Sequence, residues 1–198
     1  MTRFIICLIA LAASLNLFAR EETRLDSGWR FLQQDAANAE QAGFDDSGWP
    51  AVSIPHNWGW EDAQLGKNYY RGPGWYRRAL DIGTPENGRR YFLRFEAASQ
   101  VSDVYLNGQF LGQHRGGFGA FCFEITKALS PGGKNLLAVR VDNESEPDVA
   151  PLSGDFSVYG GLYRPVHLIV TGTENFSLSR CSTLRIGALW SGPMPWPT

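Results

Sequence analysis

Apolar and polar positions along this chain alternate in short runs with a period of two, the pattern of strands that bury one face. A short apolar run from Trp29 to Gln33 predicts a first strand, and the polar, Ala-rich stretch from Gln34 to Gly43 reads as a connector or one weak helical turn. In Gly74 to Ile82, Trp75, Arg77, Ala79 and Asp81 fall on one face, and Tyr76, Arg78, Leu80 and Ile82 on the other. Tyr91, Leu93 and Phe95 alternate with Phe92, Arg94 and Glu96; Val101, Asp103 and Tyr105 alternate with Ser102, Val104 and Leu106. Phe118 to Ile125, Asn135 to Val141 and Tyr163 to Thr171 predict three more strands, and Thr84 to Gly88 and Ser130 to Gly133 read as turns. Asn107-Gly108 between two apolar runs is a strong hairpin signal, because a type I′ turn needs two residues that tolerate positive φ. Strands punctuated at roughly ten-residue intervals predict an all-β fold, a two-sheet β-sandwich or jelly roll.

Composition supports this reading. The 7 Trp, 7 Tyr and 12 Phe suit strands, and the 22 Gly and 11 Pro suit many turns, so helix is not favoured. The 198 residues provide for one domain of ordinary size. With 18 basic and 20 acidic residues interspersed, the net charge of -2 leaves no basic face for a phosphate backbone, so nucleic acid is not expected as a partner.

Met1-Thr2-Arg3 and the apolar run from Phe4 to Leu15 have the form of a secretory signal, assigned to residues 1–19, which predicts export to the periplasm or outside the cell. The run falls short of the about 20 residues of a bilayer span, so no membrane span is expected. Cys7 lies in this leader, and Cys122 and Cys181 are the only pair left in the mature chain, which is no disulfide framework. After Ser179 the sequence RCSTLRIGALWSGPMPWPT has no sustained strand pattern and three prolines; residues 173–198 read as a truncated or frame-altered tail behind a domain of residues 20–172.

Four patterns occur in order. They are Phe44-Asp45-Asp46-Ser47-Gly48-Trp49 leading into Ile54-Pro55-His56-Asn57-Trp58; Tyr70-Arg71-Gly72-Pro73-Gly74-Trp75-Tyr76-Arg77-Arg78; Asp103 to Gly108 through Leu111-Gly112 to His114-Arg115-Gly116-Gly117-Phe118; and Asn135 to Asn143 followed by Asp155 to Val166. Together they resemble the N-terminal sugar-binding domain of family 2 glycoside hydrolases, in particular the β-galactosidase-like members of secreted bacterial enzymes, with Asn57 where Asp is common. The resemblance implies a jelly roll like galactose-binding domains. Its partners would be a β-linked galactoside or related glycan and a catalytic (β/α)₈ barrel that this chain does not reach. The barrel would carry two glutamates about 5–5.5 Å apart, the pair that retention requires. On this basis the chain by itself is expected to be inactive. A fragment that complements a separately encoded catalytic part, or a free-standing lectin, are the alternatives.

No catalytic residue is assigned within the chain. Asp155 matches the acidic residue that reaches the sugar subsite in such relatives, where a carboxylate accepts hydrogen bonds from vicinal hydroxyls; as sequence alone, it also reads as a turn residue before Gly160-Gly161. Arg71 either donates to sugar oxygens, holds Asp155, or is a solvated loop arginine. Tyr69 and Tyr70 either stack on a sugar ring or are buried in the sandwich. Trp58 and Trp60, flanking Gly59 in a loop, are a candidate stacking platform, whereas Trp29, Trp49 and Trp75 read as core. His56, Asn57 and Trp58 are expected to anchor their loop, and His114 and Arg115 to pack around Gly116-Gly117. The three histidines lack carboxylate or cysteine partners at ligand spacing, so neither metal nor cofactor is predicted.

Overall fold

The computed structural model describes residues 20–152 and 157–172. Ten strands and one short helix are found there: β1 (Glu21–Arg24), β2 (Trp29–Leu32), β3 (Ala51–Val52), α1 (Trp60–Gln64), β4 (Pro73–Asp81), β5 (Arg89–Phe95), β6 (Val101–Leu106), β7 (Gln109–Arg115), β8 (Phe121–Glu124), β9 (Lys134–Asp142) and β10 (Val166–Gly172). They form two antiparallel sheets, a four-stranded one in the order β1-β10-β5-β8 and a six-stranded one in the order β3-β2-β4-β9-β6-β7. The fold is the expected β-sandwich, and its central strands match the alternation in the sequence. Tyr76 and Leu80 of β4, Leu93 and Phe95 of β5, and Val104 and Leu106 of β6 all enter the core between the sheets.

The hairpin falls where the Asn-Gly signal places it. Asn107 and Gly108 have φ of 54° and 81°, the left-handed values of a type I′ turn, and Leu106 faces Gln109 across it. Three elements differ from expectation. β1 is polar and exposed at a sheet edge, β3 has two residues, and α1 forms where the sequence predicts a loop. β8 and β10 begin later than predicted, at Phe121 and Val166; Pro165, with no N–H for the ladder, immediately precedes β10.

The segment from 34 to 50 is a set of turns rather than a helix, and it covers the outer face of the six-stranded sheet. Ala39 and Trp49 pack there on Trp75 and Ala138. Arg77, on the same face, is fully buried beneath it: its Nε donates to Asp46 Oδ2 at 2.7 Å, and its terminal nitrogens donate to the carbonyls of Ala39, Gln41 and Phe44. The Phe-Asp-Asp-Ser-Gly-Trp pattern is thus the lid's anchor. On the outer face of the four-stranded sheet, Phe92, Cys122 and Ile169 form a small buried cluster. Cys122 is disulfide-bonded, and both other cysteines lie outside the described residues.

Candidate functional site

At one end of the sandwich, loops remote in sequence enclose a pocket of about 620 Å³. Asn57 and Trp60 come from the stretch before and at the start of α1, Ser99 and Gln100 from the β5–β6 connection, and Gly117 and Phe118 from the exit of β7. Ala150, Pro151, Ser157, Val158, Tyr159 and Tyr163 complete the wall from the long connection between β9 and β10.

The loops are held by backbone pairing. Trp58 and Gly160 exchange hydrogen bonds, Trp58 N to Gly160 O at 3.0 Å and Gly160 N to Trp58 O at 3.2 Å, which joins the α1 side of the pocket to the Tyr159 side. Residue 160 must be glycine, since a Cβ there would lie 1.8 Å from Trp58 Cε2. Ser99 N donates to Gly161 O at 3.1 Å and Ser99 Oγ to Tyr159 O at 2.7 Å, while Gly116 N donates to Gln100 O at 2.7 Å. The Tyr163 hydroxyl donates to Gly117 O. Each of these contacts joins two of the loops that line the pocket.

Trp60, Phe118, Tyr159 and Tyr163 give the wall its aromatic character, with Trp60 and Tyr159 meeting edge to face at 5.6 Å. Trp60 and Phe118 are half or more exposed, at 50 % and 68 %. Trp58, by contrast, is buried and stacks on Phe31 at 5.4 Å, so of the two tryptophans flanking Gly59 only Trp60 faces the pocket. His56 is an anchor: its N donates to Leu162 O at 2.9 Å and its Nδ1 shares a 2.7 Å hydrogen bond with the Tyr76 hydroxyl. Burial pushes the His56 and His114 imidazoles below their ordinary value. His114 stacks on Phe121 at 4.1 Å, and Arg115 is paired with Glu146 and Asp148.

Asp155 lies outside the described residues. Arg71 is exposed, and its Nε donates to Asn143 O at 2.5 Å. Tyr70 is half-buried against the core, and its hydroxyl donates to Pro73 O at 3.0 Å; Tyr69 OH accepts from Val158 N at 2.9 Å. Neither Tyr70 nor Arg71 lines the pocket, but Asn143 ties them to it: its Nδ2 donates to Val158 O at 2.9 Å and to Tyr70 O at 3.3 Å. Gln100, Phe118, Tyr159 and Tyr163 are not among the site residues that the sequence predicts. For Phe118 a signal existed, an aromatic residue directly after Gly116-Gly117; for Gln100 none did, because an amide at the head of a strand reads as ordinary surface.

The sequence model of a family described as glycosyl hydrolases family 2, sugar binding domain, matches residues 23–172. A β-glucuronidase of Bacteroides fragilis is 40% identical over 166 residues, which span 83% of this chain and 23% of that protein. A β-galactosidase of Thermoanaerobacter pseudethanolicus is 33% identical over 153 residues, 75% of this chain and 21% of that protein. Among solved structures, a Bacteroides uniformis β-glucuronidase superposes with a TM-score of 0.74 at 40% identity, covering 81% of this chain and 19% of that one. The chain thus spans about a fifth of the length of these relatives.

Proposed function

The chain belongs to the sugar-binding domains of the family 2 glycosyl hydrolases, and from that premise we propose that its end pocket receives one ring of a β-linked galactoside or related glycan. The observation that carries this is the convergence of Trp60, Phe118, Tyr159 and Tyr163 around a buried amide and hydroxyl, Gln100 and Ser99. A sugar ring offers apolar C–H faces to aromatic planes and hydroxyls to polar groups, and ligand pockets combine those two features. Asp155 is assigned to the same site as an acceptor of sugar hydroxyls, supported by its position in sequence between the pocket residues Pro151 and Ser157. Arg71 and Tyr70 are assigned to its rim, coupled through Asn143.

Hydrolysis is assigned to the portion of family members that lies beyond this domain, so the chain recognises sugar without cleaving it. Exposed Trp60, Phe118 and Leu152 around the pocket favour the reading that this end also packs against that portion in a longer enzyme. The basic start and apolar run at the N-terminus support export.

Titration of the purified chain with methyl β-D-galactoside and methyl β-D-glucuronide, followed by calorimetry and amide NMR, tests the reading. Binding near the millimolar range, about 4 kcal/mol, is expected, with no turnover of nitrophenyl glycosides. No heat and no moving resonances with either sugar would sink the sugar site; turnover would sink the division of labour.

A further inference from the structure

We infer that Gln100 is the residue with which the pocket reads a ligand hydroxyl, its side-chain Oε1 accepting a hydrogen bond from that group. The inference rests on the pocket being a sugar site and adds to it a specificity-determining residue. Gln100 is only 3 % exposed, yet it lines the pocket. Its Oε1 is fully buried and has no hydrogen-bond partner among the described residues. Buried acceptors in native proteins are paired in the large majority, and leaving one unpaired is costly, so this oxygen calls for a donor.

Two neighbouring hydroxyls are committed elsewhere. Ser99 Oγ donates to Tyr159 O at 2.7 Å, and the Tyr163 hydroxyl donates to Gly117 O. The backbone that carries the amide is held in place. Gln100 O accepts from Gly116 N at 2.7 Å, and Ser99 N is tied to Gly161 O at 3.1 Å. Gly117 packs beside the amide: a Cβ there would sit 3.4 Å from Oε1. Gln100 lines a pocket walled by Trp60, Phe118, Tyr159 and Tyr163, so the group matched to its acceptor is a hydroxyl on a ring whose C–H face rests on aromatic side chains. A carboxylate has no proton to donate, so Oε1 reads a ring hydroxyl and not the acid group of a uronide.

The test is titration of the full chain with methyl β-D-galactoside and its 2-, 3-, 4- and 6-monodeoxy derivatives, comparing the unaltered protein with Gln100→Leu and Gln100→Met and checking each fold by its melting temperature. Gln100→Leu is expected to weaken the parent glycoside about 3- to 10-fold. One deoxy derivative should bind the unaltered protein more weakly by a similar factor and show no further loss in the variant, which identifies the hydroxyl being read. The side-chain amide resonance of Gln100 in the unaltered protein should also move on titration, a readout that survives if neither variant folds. Unaltered binding with an unchanged deoxy profile in a folded variant, or a static Gln100 amide while other pocket resonances move, overturns Gln100 alone. Absence of binding by the unaltered protein overturns the sugar site and Gln100 with it.

Discussion

Arg77 shows how a charge comes to lie in the middle of an apolar face. Its guanidinium is buried beneath the segment from 34 to 50, where it meets the Asp46 carboxylate and three backbone carbonyls. Arginine suits the place because its rigid fork serves several acceptors at once; lysine, a point charge, does not. Removing one partner of such a pair leaves the other uncompensated, at a cost of about 3–5 kcal/mol. Arg77→Met is therefore expected to lower the melting temperature by roughly 10 °C, and Arg77→Lys to recover only part of that. Equal melting temperatures for Met and native chains would refute the anchor. The sequence showed the Phe-Asp-Asp-Ser-Gly-Trp pattern and put Arg77 on a face with Trp75, but it could not show that the two meet, because alternation assigns a face and not what covers it.

Strand β4 carries a second coupling, through Tyr76 to His56. The His56 backbone N donates to Leu162 O, its imidazole Nδ1 is bonded to the Tyr76 hydroxyl, and burial lowers its pKa. His114, stacked on Phe121 beyond β7, is pushed down for the same reason. A histidine whose pKa is depressed by folding takes up a proton more readily when unfolded. Stability from both groups is therefore fully present above the unfolded value of about 6.5, and is lost as pH falls below it toward the folded values. Melting temperature should fall between about pH 7 and pH 5, and the double variant His56→Gln, His114→Gln should show a shallower slope over that window. An identical slope in the variant would show that other groups set the dependence. At this scale the strong periodic strands and the Asn107-Gly108 hairpin were legible in advance. β1, β3 and α1 were not: β1 is four polar, exposed residues held by pairing with β10, β3 has too few residues for a period, and α1 is one turn following Gly59 at φ 90°.

At the scale of the whole molecule, the pocket exists because three connections and the stretch around α1 meet at one end, and no local pattern encodes such a meeting. Aromatic residues that looked alike in sequence separate there: Trp58 is locked over Gly160 and Phe31, whereas Trp60 stands exposed beside Phe118. Leu152, next to the pocket residue Pro151, is 64 % exposed and adds to the apolar character of this end of the molecule. Exposed aromatic residues gathered at one pocket fit a surface that another domain covers, and contacts between domains of one chain are of this kind. With relatives about five times longer than the matched region, the portion of a longer enzyme beyond this domain is the occupant proposed here. A chain that presents this end to water should self-associate as its concentration rises, and Trp60→Ser with Phe118→Ser should reduce that association while leaving the melting temperature within about 2 °C, since exposed positions contribute little to stability. Sedimentation velocity decides the matter. A chain that stays monomeric at every concentration removes the argument for a covered face and leaves the aromatic rim to the sugar alone.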